Sequence, residues 1–277
     1  MLWLPAAVLL TWALICAAVY FGQERLIFHP ASLPAGHTYD FDRPFEALRI
    51  EVEPGVELAA LWFPASGTTP AAPDRESAAT RRAVLYLHGN AGHLQDWGWH
   101  AGLYTDAGYD FVVVDYRGYG TSDGRIDSEA QLHSDVERVW MWMTERYAPG
   151  DVTLVGYSLG SALAARLACT SEKPPGRLVL LAPFYSARDL ARRAVPFVPT
   201  FLMRYPLRTD LVLRDCRLPV TIFHGRADRT VPFDEGRRLA DSLGERARLV
   251  ELPEAGHSDI AADPVFRHEM TALLARP

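Results

Sequence analysis

The 277-residue chain is almost without lysine: Lys173 is the only one among 28 Lys and Arg residues. It has no basic block, and its formal net charge is −6, so no nucleic-acid partner is expected. Cysteine is scarce too. Three residues, Cys16, Cys169 and Cys216, make no disulfide framework. A Cys169–Cys216 bridge is possible, but nothing in the sequence supports it. Neither the cysteines nor the nine histidines show zinc-site spacing, so no metal is expected. No internal repeat occurs, and low complexity is confined to one loop, which argues against a solenoid or a linker array. The near-absence of lysine fits a high-GC bacterial genome.

One absence is local. Met1 to Gly22 carries no charged side chain and is rich in Leu, Ala, Val, Ile and Trp. About 20 helical residues rise ~30 Å, the thickness of a bilayer core. Residues 1–22 therefore read as an uncleaved single-pass anchor, expected in a bacterial inner membrane. The alternatives are a signal peptide, which lacks its usual basic start and small-residue cleavage site here, and a buried helix of a soluble protein. Trp12 is out of place in an anchor, because it falls in mid-span rather than at an interface. Orientation is not legible: the first basic residue, Arg25, stands beside Glu24.

Residues 23–44 form a juxtamembrane lead-in, and residues 45–277 one large domain. Phe45–Pro54 and Val56–Phe63 read as a strand hairpin, followed by a long polar loop from Pro64 to Arg82. After it come short apolar runs at 83–87, 111–115, 152–155, 177–182, 218–223 and 247–252, which read as buried strands. Helical patterns separate most of them, among them 93–107, 128–147, 234–243 and 265–275. Strands without alternation, interleaved with helices, imply an α/β fold with a doubly wound, mostly parallel sheet covered on both faces.

Gly156-Tyr157-Ser158-Leu159-Gly160 lies between a strand pattern and an Ala/Leu-rich helix pattern. G-x-S-x-G turns up by chance about one time in ten in a chain of this length. Its setting, a strand-to-helix turn, is what a nucleophile elbow requires. A serine hydroxyl is a weak nucleophile until a base and an orienting acid stand beside it. Asp228 and His257 each follow a strand by a short turn. In a parallel sheet all such turns lie along one edge, so Ser158, Asp228 and His257 can converge there. The tetrahedral intermediate needs two preorganised donors. The backbone N–H of Leu159, at a helix start, is one expectation; the other comes from the His88–Gly92 loop, with Asn90 preferred and Ala91 as the near alternative. Ala91, Tyr157, Phe184 and Tyr185 are the expected substrate contacts. His88 and His224 read as structural, as do Asp115 and Arg117, expected to tie strand ends.

These segments together resemble the α/β-hydrolase superfamily over residues 45–277: HGNAG at 88–92, DYRGYGTSDG at 115–124, GYSLG at 156–160, HGRADRTVP at 224–232 and GHSD at 256–259. ERLIFHP at 24–30 after an apolar span resembles the membrane-anchored, single-pass members related to eukaryotic α/β-hydrolase-domain proteins. The resemblance implies ester, thioester or amide hydrolysis by a Ser-His-Asp triad without a cofactor. The expected substrate is a small-molecule or lipid-like acyl compound; a peptidase of short peptides and a non-catalytic scaffold are the alternatives. Residues 184–217 are too short for a large lipase lid and read as a helical flap over an apolar pocket, or as a surface helix on the sheet. Oligomeric state is not legible.

Overall fold

The computed structural model describes residues 3–34, 36–68 and 81–276. Most of the expected polar loop, residues 69–80, lies outside the described residues. The chain begins with helix α1 (Trp3–Ile27), whose apolar stretch has a mean hydropathy of 2.1 and lies almost wholly outside the protein interior. At ~1.5 Å per residue it is about 37 Å long, enough to cross a bilayer. It continues past the expected boundary at 22, so the lead-in starts as helix. Strand β1 (His29–Pro30) then breaks away.

The hairpin is β2 (Glu46–Glu53) and β3 (Val56–Phe63), joined through Gly55, whose φ of 79° a side chain would strain. Strand β4 (Arg82–Leu87) leads to a second short strand, β5 (Ala91–Gly92). The helix expected over 93–107 is broken. It forms α2 (Leu94–Trp97), a 3₁₀ turn at Gly98–His100 and α3 (Ala101–Thr105). The break falls at Gly98, the residue type least suited to a helix interior after proline; a Cβ there would lie 2.4 Å from the Phe41 ring, because the lead-in packs over this point. The remaining elements are β6 (Tyr109–Val114), α4 (Glu129–Thr144), β7 (Val152–Tyr157), α5 (Leu159–Thr170) and β8 (Arg177–Leu181). They continue with α6 (Ala187–Ala194), α7 (Thr209–Arg214), β9 (Val220–Gly225), α8 (Phe233–Leu243), β10 (Ala247–Leu252) and α9 (Pro264–Leu274).

Among the described residues the main sheet has eight strands in the order β10-β9-β8-β7-β4-β6-β3-β2. All neighbours are parallel except at the β2–β3–β6 edge. The central strands are apolar without alternation because both faces are covered. Leu85, Val112 and Leu154 point to a cluster with α4 and α5, while Val84, Tyr86 and Val113 point to a second cluster with α3 and α9. Cys169, near the end of α5, and Cys216, after α7, form a disulfide that closes a separation of 47 residues.

Candidate active site

The turn at Ser158 owes its shape to two glycines. A Cβ on Gly156 would stand 2.3 Å from the Gly160 carbonyl oxygen, within the elbow itself. A Cβ on Gly160 would stand 1.9 Å from the Leu87 carbonyl oxygen. The second glycine thus makes room for the neighbouring strand β4, not only for the other arm of its own turn. Ser158 adopts φ 51°, a region that non-glycine residues occupy only when the surroundings impose it. Its N–H donates to the Leu181 carbonyl at 2.8 Å, which pins the turn to β8.

Asp228 and His257 arrive at the same sheet edge from the turns after β9 and β10. His257 Nε2 lies 3.2 Å from Ser158 Oγ, and His257 Nδ1 lies 2.7 Å from Asp228 Oδ2. The other Asp228 oxygen accepts the N–H groups of Thr230 and Val231 at 2.9 and 2.8 Å. Tyr157 donates its hydroxyl to the His257 carbonyl and so holds the loop that carries the imidazole. Burial would raise the Asp228 carboxyl, but hydrogen bonds from His224 and His257, with the attraction of His257, hold it well below the usual carboxylate range. His224 is fully buried, 3.5 Å from Asp228 Oδ2, and its Nε2 donates to the Val231 carbonyl at 2.9 Å. Its structural reading therefore extends to the acid: it packs beside Asp228 and ties the turn that carries it. Such an arrangement can draw a proton from the serine hydroxyl and stabilise the resulting imidazolium.

His88 lies at the end of β4, 3.2 Å from Asp115, and Arg117 bridges Asp135 at 2.7 Å and Glu53 at 2.9 Å. These pairs join neighbouring elements of the fold.

Above Ser158 is a cavity of about 440 Å³. Ser158, Leu159, Asn90 and Phe184 line it, as do residues of the flap such as Leu190, Val198 and Leu202. Among the described residues its lining contains no carboxylate. Three expected substrate contacts lie elsewhere. Ala91 is on β5, beside His29 of β1; Tyr157 is buried among the aromatic side chains under the sheet edge; and the Tyr185 ring is covered by the Arg238 guanidinium, 4.3 Å from its centroid. Each was a near neighbour in sequence of a residue that does line the cavity. Three of the flap arginines pair within the protein: Arg188 donates to Thr200, Arg193 meets Glu235, and Arg204 meets Glu24.

Helix α1 also contributes to the site. Val19, Gln23, Leu26 and Ile27 form part of the cavity wall. Asn90 Nδ2 donates to the Ile27 carbonyl at 2.9 Å, and the Asn90 carbonyl accepts the His29 N–H at 2.9 Å and the Tyr119 hydroxyl at 2.8 Å. The side chain and carbonyl of Asn90 are thus taken up by Ile27, His29 and Tyr119. The one sequence signal was Gln23, a polar residue ending an apolar run and 5% exposed here.

A family model described as alpha/beta hydrolase fold matches residues 82–218. An uncharacterized protein of Mycobacterium tuberculosis is 29% identical over 246 residues, covering 87% of this chain and 82% of that protein. The lysophosphatidylserine lipase ABHD12 of Danio rerio is 30% identical, covering 79% of this chain and 62% of the enzyme; that of Xenopus tropicalis is also 30% identical, covering 81% and 66%. The chain thus spans about two thirds of these lipases. Among solved structures, the Pyrococcus furiosus esterase Pf2001 superposes with a TM-score of 0.62 at 19% identity, covering 90% of this chain and 95% of that one. Est1E from Butyrivibrio proteoclasticus, with ferulic acid bound, gives a TM-score of 0.64 at 17% identity, covering 83% and 96%. At such identities the structures speak for the fold alone. The sheet order, the strand–turn–helix at Ser158 and these similarities agree: the chain has an α/β-hydrolase fold.

Proposed function

We propose that this protein is a membrane-anchored serine hydrolase that cleaves carboxylic-ester or thioester bonds through an acyl-enzyme on Ser158. The observation that carries the reading is the relay from Ser158 Oγ through His257 to Asp228 at the floor of an apolar cavity. Ser158 Oγ attacks the acyl carbon as His257 Nε2 takes its proton. Asp228, facing Nδ1, stabilises the imidazolium. The proton passes to the leaving oxygen or sulfur, and the acyl group stays on Ser158. Water then gives a proton to His257, attacks the acyl carbon and frees the serine. The oxyanion is met by the backbone N–H of Leu159, favoured by its place at the start of α5, and by that of Asn90.

The vertebrate relatives carry the name lysophosphatidylserine lipase, and an apolar cavity of this size suits one acyl chain. Among the described residues the lining presents no acidic pair to hold a free amino terminus, which ranks a peptidase lower. We place the anchor in a bacterial inner membrane, with the hydrolase domain on the oxidising side, because disulfides such as Cys169–Cys216 persist there and not in a reducing cytoplasm. The test is labelling of the full chain by a fluorophosphonate probe. Wild type is expected to label; Ser158→Ala abolishes labelling and lowers ester turnover by about 10⁴-fold or more. A folded wild type that does not label overturns the proposal. A panel of p-nitrophenyl esters of graded length, acyl thioesters and aminoacyl amides then ranks the leaving groups.

A further inference from the structure

The flap does not sit on the domain alone. Trp12 donates its indole N–H to the Phe197 carbonyl at 2.8 Å. Eleven residues on, about 16 Å along the helix, Gln23 donates its carboxamide to the Leu202 carbonyl at 2.9 Å and accepts the Arg204 N–H at 2.8 Å. Segment 195–203 therefore lies along the half of α1 nearer the domain, from the middle of its apolar run to its end. A loop bonded to a helix over that length shares its depth. Either three turns of α1 stand outside the bilayer, or the flap goes into it.

Three observations favour entry. Standing outside would leave Leu14 and Phe21 in water, at 62% and 78% exposure. The outward side of the flap is itself apolar, with Phe197 at 54% and Phe201 at 82% exposure. Irregular backbone is tolerated at membrane depth only when its polar groups find partners within the protein. Trp12 and Gln23 supply such partners to two flap carbonyls. This also accounts for an indole in mid-span, away from the interface where tryptophan ordinarily lies.

We propose that the flap over residues 195–203 is embedded in the same leaflet as α1, and that the cavity over Ser158 fills from the bilayer through the seam between them. Val19 and Leu26 form one side of that seam, and Val195, Val198 and Leu202 the other. The ligand is the acyl chain of a single-chain lipid ester, which passes from bilayer to cavity without crossing water; its hydrolysis there rests on the function proposed above.

Depth is read without reference to activity. The full chain carrying Cys16→Ala and Phe201→Cys is labelled with an environment-sensitive fluorophore and reconstituted in phosphatidylcholine vesicles. Asp241→Cys, on the exposed side of α8, is the control. The label at 201 is expected to be quenched by lipids with nitroxide on the acyl chain and protected from an aqueous quencher, the reverse of the label at 241. Aqueous quenching at both positions overturns the embedding. The route is read by the Phe197→Ser/Phe201→Ser double variant, with fluorophosphonate labelling in detergent reporting an intact site. Hydrolysis of a long-chain lysophospholipid presented in vesicles is expected to fall about tenfold, while hydrolysis of water-soluble p-nitrophenyl acetate stays unchanged. Equal rates with both substrates, or equal losses with labelling retained, overturn the route. A wild type that hydrolyses neither substrate refutes the hydrolase reading, and the quenching result still decides the embedding.

Discussion

Burial alone would raise the Asp228 carboxyl; the imidazoles of His224 and His257 and the backbone N–H of Val231 outweigh it and keep the acid ionised. Ionisation matters because a neutral amide in its place would let the His257 ring settle in the wrong tautomer. Asp228→Asn is therefore expected to lower kcat by about 10⁴-fold, with the melting temperature measured alongside to show that the fold survives. A different residue sets an acid limit on stability. Burial of His100, stacked 5.6 Å from the Tyr86 ring, lowers its pKa to about 4. The unfolded chain binds this proton near the ordinary histidine value of about 6.5, so the folded state loses stability as pH falls from there through about 4. His100→Phe keeps an aromatic partner for Tyr86 and is expected to flatten the dependence of melting temperature on pH within that window. An unchanged slope would place the acid sensitivity elsewhere.

At the scale of elements, the root of α1 is fastened to the loop after β4. β1 pairs in parallel with β5, and Asn90 is bonded on both sides of Phe28. Helix α1 therefore helps to place the proposed oxyanion donor. On the opposite flank, the Cys169–Cys216 bridge joins α5, which follows the elbow, to the segment after α7. Constraining a 47-residue loop stabilises by about 4 kcal/mol in the chain-entropy account. Cys216→Ala is expected to lower the melting temperature by several degrees. In protein isolated without reductant, two fewer cysteines should react with a maleimide under denaturing conditions than after reduction. Full reactivity without reductant would count against both the bridge and the oxidising compartment.

For the whole molecule, an apolar helix of 25 residues joined to a hydrolase domain is expected to fractionate as an integral membrane protein. High salt and alkaline carbonate should leave the full-length chain in the pellet, and detergent should release it. Release by salt alone would remove the anchor, and with it the membrane route to the cavity.

Much of this architecture is local in origin and was legible for that reason. An apolar run without alternation can form a strand covered on both faces, as β6 and β7 do. Gly156 and Gly160 mark a turn too tight for side chains, and the turns after β9 and β10 place Asp228 and His257 at one sheet edge once the strands are parallel. What could not be read depends on contacts between distant segments. The helix expected over 93–107 breaks at Gly98, and only the tertiary structure shows that Phe41, more than fifty residues earlier, fills the space a side chain would take there. Where the side chains of Ala91, Tyr157 and Tyr185 point is set by packing between distant segments. The Cys169–Cys216 bridge and the share of α1 in the cavity wall likewise needed tertiary structure, because no periodicity records which surface an apolar helix touches. The sequence by itself determined the strand–turn–helix at Ser158 and the order of the elements around it, since both follow from local sterics and burial. Only the tertiary structure decided what closes the space above the serine: the anchor helix and the flap, held together by Trp12 and Gln23 across nearly two hundred residues of chain.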